Sequence, residues 1–180
     1  MKGGDRMSKP SSGLFYGTSG SSMSRIIPGK AGVVTGGSSI ALGKNILKSM
    51  GISVKIKWTN YQAQHIIPAE MSDHPVLKKI GIDLDHSSNG IFLRTPSDGV
   101  STLTRHRGYH APYNEFVRSQ LNNMNINDPS YVLEHKVSVL QENLRKLQMS
   151  GIPIYPKHGA TVESISRSYA RISHSKKKGN

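Results

Sequence analysis

Residues 61–70, YQAQHIIPAE, set a single histidine, His65, between two amides and a short apolar run that ends at a proline. Such a ring is either a polar neighbour of a core or a base held against a reacting group, and the flanking sequence has to separate the two. Toward the N-terminus, residues 54–67 (VKIKWTNYQAQHII) alternate well enough to form a strand region that Ile66, Ile67 and Pro68 close. Pro68 is well placed as the first residue of a helix through AEMSDHPVLKKIG, although Pro75 would interrupt it. DLDHSSNG (83–90) is turn chemistry, GIFLRT (90–95) is a second short strand, and PSDGVST (96–102) returns to loop.

Helices frame this unit. HAPYNEFVRSQLNNM (110–124) reads as a helix from about His110. Upstream, IALGKNILKSMG (40–51) carries Leu42, Ile46 and Leu47 at helical spacing, with Gly51 as the stop. Downstream, Asp128 can cap and Pro129 can open a helix whose Leu133, Val137, Leu140, Leu144 and Leu147 form one apolar stripe, ended by Gly151 and Pro153. The stripe either packs on the domain core or serves a partner helix.

The chain has 180 residues, which suits one domain with appendages, and its 35% hydrophobic content is low for a compact fold of the whole length. Without cysteine there is no disulfide framework, thiolate zinc site or cysteine nucleophile. No apolar run approaches the roughly 18–20 residues of a membrane span, and MKGGDRMSKPSSG shows no secretory signal. The net charge of +13 is unevenly placed: residues 1–50 hold seven Lys/Arg against one Asp, residues 167–180 hold five against none, and the middle is nearly balanced. Basic arms on a balanced middle suit a polyanion such as nucleic acid, an acidic protein partner, or simple solvation. These divisions give a flexible Gly/Ser-rich leader over 1–40, with a short ordered patch at GVVTGG, a folded domain over 41–166, and a basic tail over 167–180.

Eight histidines in a cysteine-free chain raise the question of a metal. His135, His158 and His174 read as surface residues, and His74 and His86 sit in connections without clear partners. His106 and His110, in RHRGYH, are four apart, a spacing that at a helix start points both rings the same way; chance exposure gives the same spacing. Asn114 follows at the same interval, either adding an amide oxygen to that face or lying on the helix surface. Arg105 and Arg107 flank His106 and either contact phosphate, because a guanidinium grips two phosphate oxygens at once, or lie in a solvated loop. Trp58, Tyr61, Tyr109 and Tyr113 either stack on bases or pack beside a small core. The order strand, histidine, loop, Asn-Gly, strand, loop, HxxxH, helix is that of a small ββα unit that holds a metal. Its parts suffice for phosphodiester cleavage: an imidazole to take a proton from water, a divalent ion to neutralise phosphate, and an amide to orient the imidazole.

Residues 61–121, YQAQHIIPAEMSDHPVLKKIGIDLDHSSNGIFLRTPSDGVSTLTRHRGYHAPYNEFVRSQL, resemble the AHH family of the HNH/endonuclease VII nucleases, with the likeness extending from about GGSSIALGKNILKSMG to GATVES. The resemblance implies an α+β fold with a ββα-metal catalytic unit surrounded by further helices, and a metal-dependent endonuclease acting on nucleic acid, double-stranded DNA in the first place. By similarity, His65 is the water-activating histidine, Asn89 the turn asparagine that orients it, and His106 and His110 the metal-binding pair. The family has two adjacent histidines after the alanine, whereas here Ala63 is followed by Gln64 and His65. Gln64 thus stands where a metal ligand is expected, and its amide oxygen is a harder, weaker donor than imidazole. Either the site works with Gln64, through water or with Mg²⁺, or metal affinity falls and the protein becomes a nucleic-acid-binding module. The cofactor is one divalent ion: Mg²⁺, Mn²⁺, Zn²⁺ or Ni²⁺. The family also implies a bacterial toxin or effector, a cognate immunity protein, a secretion apparatus as a possible partner, and residence in the producer's cytoplasm before delivery into a target cell. Protonation of His65 or the ligand pair is expected to end activity below the ordinary imidazole pKa of about 6.5.

Overall fold

The computed structural model describes residues 24–96, 102–106 and 109–175. In chain order these form β1 (Val34–Thr35), α1 (Ser39–Ser49), β2 (Tyr61–His65), a 3₁₀ turn (Ala69–Met71), α2 (Pro75–Ile80), β3 (Ile82–Asp83), a 3₁₀ turn (Ser87–Asn89), β4 (Gly90–Arg94), α3 (Ala111–Asn122), α4 (Ser130–Met149), a 3₁₀ turn (Pro156–His158) and α5 (Val162–Ser175). This is the α+β architecture that the sequence implies. No helix among the described residues is long and apolar enough to cross a membrane.

The strand pair of the expected ββα unit is β2 antiparallel to β4, in a register that sets Tyr61 opposite Arg94, Ala63 opposite Phe92 and His65 opposite Gly90. The strand is shorter than its alternation suggests. Asn60 adopts a left-handed φ of 66°, which breaks the extended run, and residues 54–60 turn instead. That turn lets Trp58 tilt onto Phe92 at 5.6 Å, closing a small cluster with Leu42, Ile46 and Ala63. Helix α1 lies directly on this sheet. A Cβ on Gly90 would sit 2.6 Å from Leu42 Cδ1, so glycine is what permits the approach. The helix expected to run from Pro68 is instead a 3₁₀ turn followed by α2, because Pro75 opens a helix and forces His74 into extended backbone.

The α4 stripe reaches its own core. Leu133, Val137, Leu140, Leu144 and Leu147 are all buried, packed with Leu77, Ile80, Tyr113, Phe116 and Ile165, so the face is not available to a partner helix. Each such side chain contributes about 1.5–3 kcal/mol by leaving water. Asp128 does not cap α4; its carboxylate pairs with Lys136 Nζ at 2.6 Å, and the helix begins at Ser130, after Pro129.

Two boundaries differ from those expected from composition. Residues 24–40 of the supposed leader join the fold: Ile27 is buried, Arg25 meets Glu134 at 3.0 Å, and Val34 pairs in parallel with Ile82. The supposed tail begins inside α5, which buries Ile165 and packs Tyr169 on Phe116 at 5.1 Å. Residues 1–23 and 176–180 lie outside the described residues.

Candidate functional site

His65 ends β2 and is only 8% exposed. Its Nε2 lies 2.9 Å from Asp85 Oδ1. The same carboxylate oxygen accepts from the amides of Gly37 at 2.8 Å and Ser38 at 2.9 Å, at the positive end of α1. Burial pushes the Asp85 carboxyl up, but the His65 bond, the two amides and the charge of His65 outweigh it and hold the group below its ordinary value of 3.8. An ionised carboxylate only accepts, so in the neutral ring Nε2 carries the proton and Nδ1 is left as the basic nitrogen.

Asn89 does not orient His65. Its Oδ1 accepts from Ile67 N at 2.8 Å and Gln141 Nε2 at 2.9 Å, and its Nδ2 donates to Ile67 O at 3.0 Å and Leu84 O at 2.9 Å. All four bonding positions of the amide are thereby used, and the residue is 1% exposed. Asn89 ties the end of β2 to the chain ahead of β4; Asp85 is the residue on His65. Arg145 secures the same turn, donating to Ser88 O at 2.8 Å and Gly90 O at 3.0 Å.

Across the cleft stand the two other histidines. His110 is the residue before α3, and His106 is carried by an extended segment whose amide donates to Arg94 O, at the end of β4, at 3.1 Å. Thr104 locks that segment to the end of α4, with its amide on Gln148 O at 2.9 Å and its hydroxyl on Ile152 O at 2.7 Å. The four-residue spacing therefore works as loop plus helix start, not as two positions on one helix face. The ring centroids of His106 and His110 are 6.1 Å apart, with Tyr155 packed 6.0 and 5.7 Å from them. Burial and the neighbouring His110 push His106 down to about 4, and burial also lowers His110, although its bond to Asn114 pulls the other way. At neutral pH both rings therefore keep a lone pair.

Gln64 and Asn114 bracket His110. Gln64 Nε2 donates to His65 O at 3.0 Å and lies 2.9 Å from His110 Nε2, with Gln64 Oε1 at 3.2 Å from the same nitrogen. Asn114 Oδ1 is taken up by His110 Nδ1 at 2.7 Å, on the opposite edge of the ring from Gln64. A cleft of about 270 Å³ gathers these groups: Gln64, His65, Glu70, His106, His110 and Asn114 all line it, with Tyr109 at its rim, 67% exposed. Arg105 lies outside it, donating to Pro96 O at 2.7 Å and lining a neighbouring hollow with Tyr155 and His158. Arg107 lies outside the described residues. Trp58 and Tyr113 are packing residues; Tyr113 is wholly buried, with its hydroxyl between Ile66 O at 2.6 Å and Gln148 Nε2 at 2.7 Å. His135, His158 and His174 are exposed, while His74 is buried against Asn122 at 2.9 Å.

Among the described residues no three His, Cys, Asp or Glu side chains gather as a ready cation cage. Two neutral imidazoles and an amide oxygen nonetheless converge on one cleft, and that donor set suits a divalent ion with open positions. Sequence reasoning missed Asp85 and Glu70. Asp85 was hidden in DLDHSS, where its side chain reads as turn chemistry.

No curated protein and no solved structure matches the chain. A family model does match, over residues 46–148, more than half of the chain: AHH, a nuclease family of the HNH/ENDO VII superfamily with conserved AHH. That span holds β2, β4, α3 and nearly all of α4, and with them Ala63, Gln64 and His65. The chain belongs to the AHH nucleases of the HNH/ENDO VII superfamily.

Proposed function

We propose that the cleft hydrolyses phosphodiester bonds of DNA, with His65 as general base and Asp85 as the residue that holds and charges it. The supporting observation is that His65, held from behind by Asp85, lines a single cleft with the His106, His110 and Gln64 donors. His65 Nδ1 takes a proton from water, the new oxygen–phosphorus bond forms, and the bond to the 3′ oxygen breaks; that oxygen takes a proton from solvent, leaving a 5′ phosphate and a 3′ hydroxyl. Asp85 stabilises the imidazolium so formed. His106, His110 and the Gln64 oxygen would hold one divalent ion, whose charge offsets that of the phosphate and of the departing oxygen. Asn114, its oxygen spent on His110, stands behind that ligand and not among the ligands. Arg105 in the adjoining hollow, and the basic residues toward both ends, would draw the flanking phosphates.

A toxin or effector role, an immunity protein that covers the cleft, and cytoplasmic residence before delivery by a secretion apparatus complete the proposal, on the strength of the resemblance carried by residues 61–121. Incubation of plasmid DNA and of a matched RNA with Mg²⁺, Mn²⁺, Ni²⁺ or Zn²⁺ tests the chemistry: nicking of DNA with at least one ion is expected, and intact DNA with every ion, from folded protein, overturns it.

One observation favours a second reading. The Gln64 amide, in place of the first of the two family histidines, hydrogen-bonds the His110 nitrogen that an ion would need. A chain that retains DNA on a gel but takes up no ion at millimolar concentration would be a binding module of the same fold.

A further inference from the structure

Glu70 is the acidic side chain lining the cleft, and it bonds neither to His65 nor directly to a ring on the His106/His110 side. It sits in the 3₁₀ turn after Pro68 and faces α3. Its Oε2 accepts from Asn114 Nδ2 at 2.8 Å and from the Tyr109 hydroxyl at 3.2 Å, while its backbone carbonyl accepts from Arg118 Nη2 at 3.1 Å. Asn114, in turn, touches His110 Nδ1 at 2.7 Å.

A carboxylate only accepts, so the face of Asn114 toward Glu70 must be its NH₂. The opposite face is then the carbonyl oxygen, which also only accepts, and the atom against it must donate. His110 Nδ1 therefore carries the proton, and Nε2, on the Gln64 side, carries the lone pair. Turning the Asn114 amide over would set its oxygen 2.8 Å from the Glu70 oxygen, two acceptors in contact with no proton between them. The conclusion follows from the partners and not from how the amide atoms happen to be assigned. We propose that Glu70 is a positioning residue: acting through the side-chain amide of Asn114, it fixes the His110 tautomer so that Nε2 offers its lone pair to the cleft.

The tautomer itself stands without any metal. Its consequence for function rests on the reading of His110 as a metal ligand, since outer partners of this kind set which nitrogen of a ligating histidine is free. Without the carboxylate, Asn114 presents oxygen or NH₂ to the ring with similar ease. The neutral ring then divides between two forms, one of which has no lone pair on the cleft side.

Ring ¹⁵N shifts of His110 in the metal-free full chain, from long-range ¹H–¹⁵N correlation, test this without reference to cleavage. The wild type is expected to show a protonated Nδ1 and an unprotonated Nε2. Glu70→Gln is expected to mix the two forms and to weaken binding of Ni²⁺ or Zn²⁺, measured by titration calorimetry, about 10-fold. The double variant Glu70→Gln with Asn114→Asp reverses the relay. The amide introduced at position 70 donates to the carboxylate introduced at position 114, that carboxylate accepts from His110 Nδ1, and the net charge is unchanged. It is expected to restore the single tautomer and to bring ion affinity back within about 3-fold of wild type, a rescue that a purely structural role for Glu70 does not provide. A wild-type ring protonated at Nε2, or a Glu70→Gln ring with its tautomer unchanged in folded protein, overturns the proposal. A tautomer that shifts as described in a chain that takes up no ion supports the relay and overturns the metal reading instead.

Discussion

Replacing Asp85 with asparagine separates its two tasks, capping the start of α1 and charging His65. Asparagine is isosteric, and its Oδ1 keeps all three donors now on Asp85 Oδ1: His65 Nε2, Gly37 N and Ser38 N at 2.9, 2.8 and 2.9 Å. Only the longer contact from Ser38 N to Oδ2, 3.2 Å, is lost. The two amide bonds pass from charge-assisted to neutral, a loss of about 1 kcal/mol each, or about 1–2 kcal/mol of stability in all. A chain of this size then melts roughly 2–8 °C lower. The kinetic effect is larger. When His65 takes the proton it becomes a cation bonded to the carboxylate, and a hydrogen bond between charged partners contributes about 1.5–3 kcal/mol. With a neutral partner in its place the cleavage step should slow by about 10- to 100-fold. Single-turnover digestion of DNA by excess protein, with a melting curve on the same sample, measures both. Asp85→Ala should lose the same rate and more stability, because it leaves the Gly37 and Ser38 amides without the carboxylate. If Asp85→Asn melts lower yet cuts within twofold of wild type, Asp85 is a helix cap alone and the charged pair has no part in the chemistry.

Stability should depend on pH through His106. The folded ring stays neutral down to about 4, whereas an ordinary imidazole titrates at 6.5. Between those values the unfolded chain binds a proton that the folded chain does not, so this contribution is complete above 6.5 and is lost as pH falls toward 4. Its ceiling is about 3 kcal/mol, nearer 1–2 kcal/mol once solvent screening of the partly exposed ring is counted. Urea melts at pH 7 and 4.5 should show that loss in wild type and not in His106→Gln; parallel losses would contradict it. The acid shift of His106 also means that this ring does not protonate near 6.5, contrary to the expectation from sequence. Gln64→His, which restores the family pattern and removes the amide from His110 Nε2, should tighten Zn²⁺ or Ni²⁺ by at least about tenfold in calorimetry, and unchanged affinity would place position 64 outside the ion's reach. Tyr113→Phe strips a partner from Ile66 O and Gln148 Nε2, both buried, and should cost about 1–3 kcal/mol in urea with the slope unchanged; a loss under about 0.5 kcal/mol would contradict that.

Local signals in the chain carried much of the fold. The α4 stripe was legible because five aliphatic residues at spacings of four and three leave a helix one way to bury them. His65, His106 and His110 were legible because motif order survives in sequence even where geometry does not. What escaped was non-local. Strands β1 and β3 are two residues each, too short for any periodicity, and pair across nearly fifty residues. Asp85 meets His65 across twenty residues through a turn, so nothing near either residue announces the pair. Asn89 has the position expected of it and a different task, because an amide's spacing does not show which of its neighbours will use up its four bonds. Helix α5 did leave a trace, Ile165, Tyr169 and Ile172 at helical spacing, but Arg167 and Arg171 between them give the same stretch the composition of a basic tail.

The most direct measurement is single-turnover cleavage of one defined duplex by wild type and by His65→Ala, at protein concentrations where both retain the DNA equally on a gel. Loss of detectable cutting with retention unchanged is the result that a base at position 65 requires. A variant that cuts at the wild-type rate would show that water is activated elsewhere, and the assignment of the cleft would fall with it.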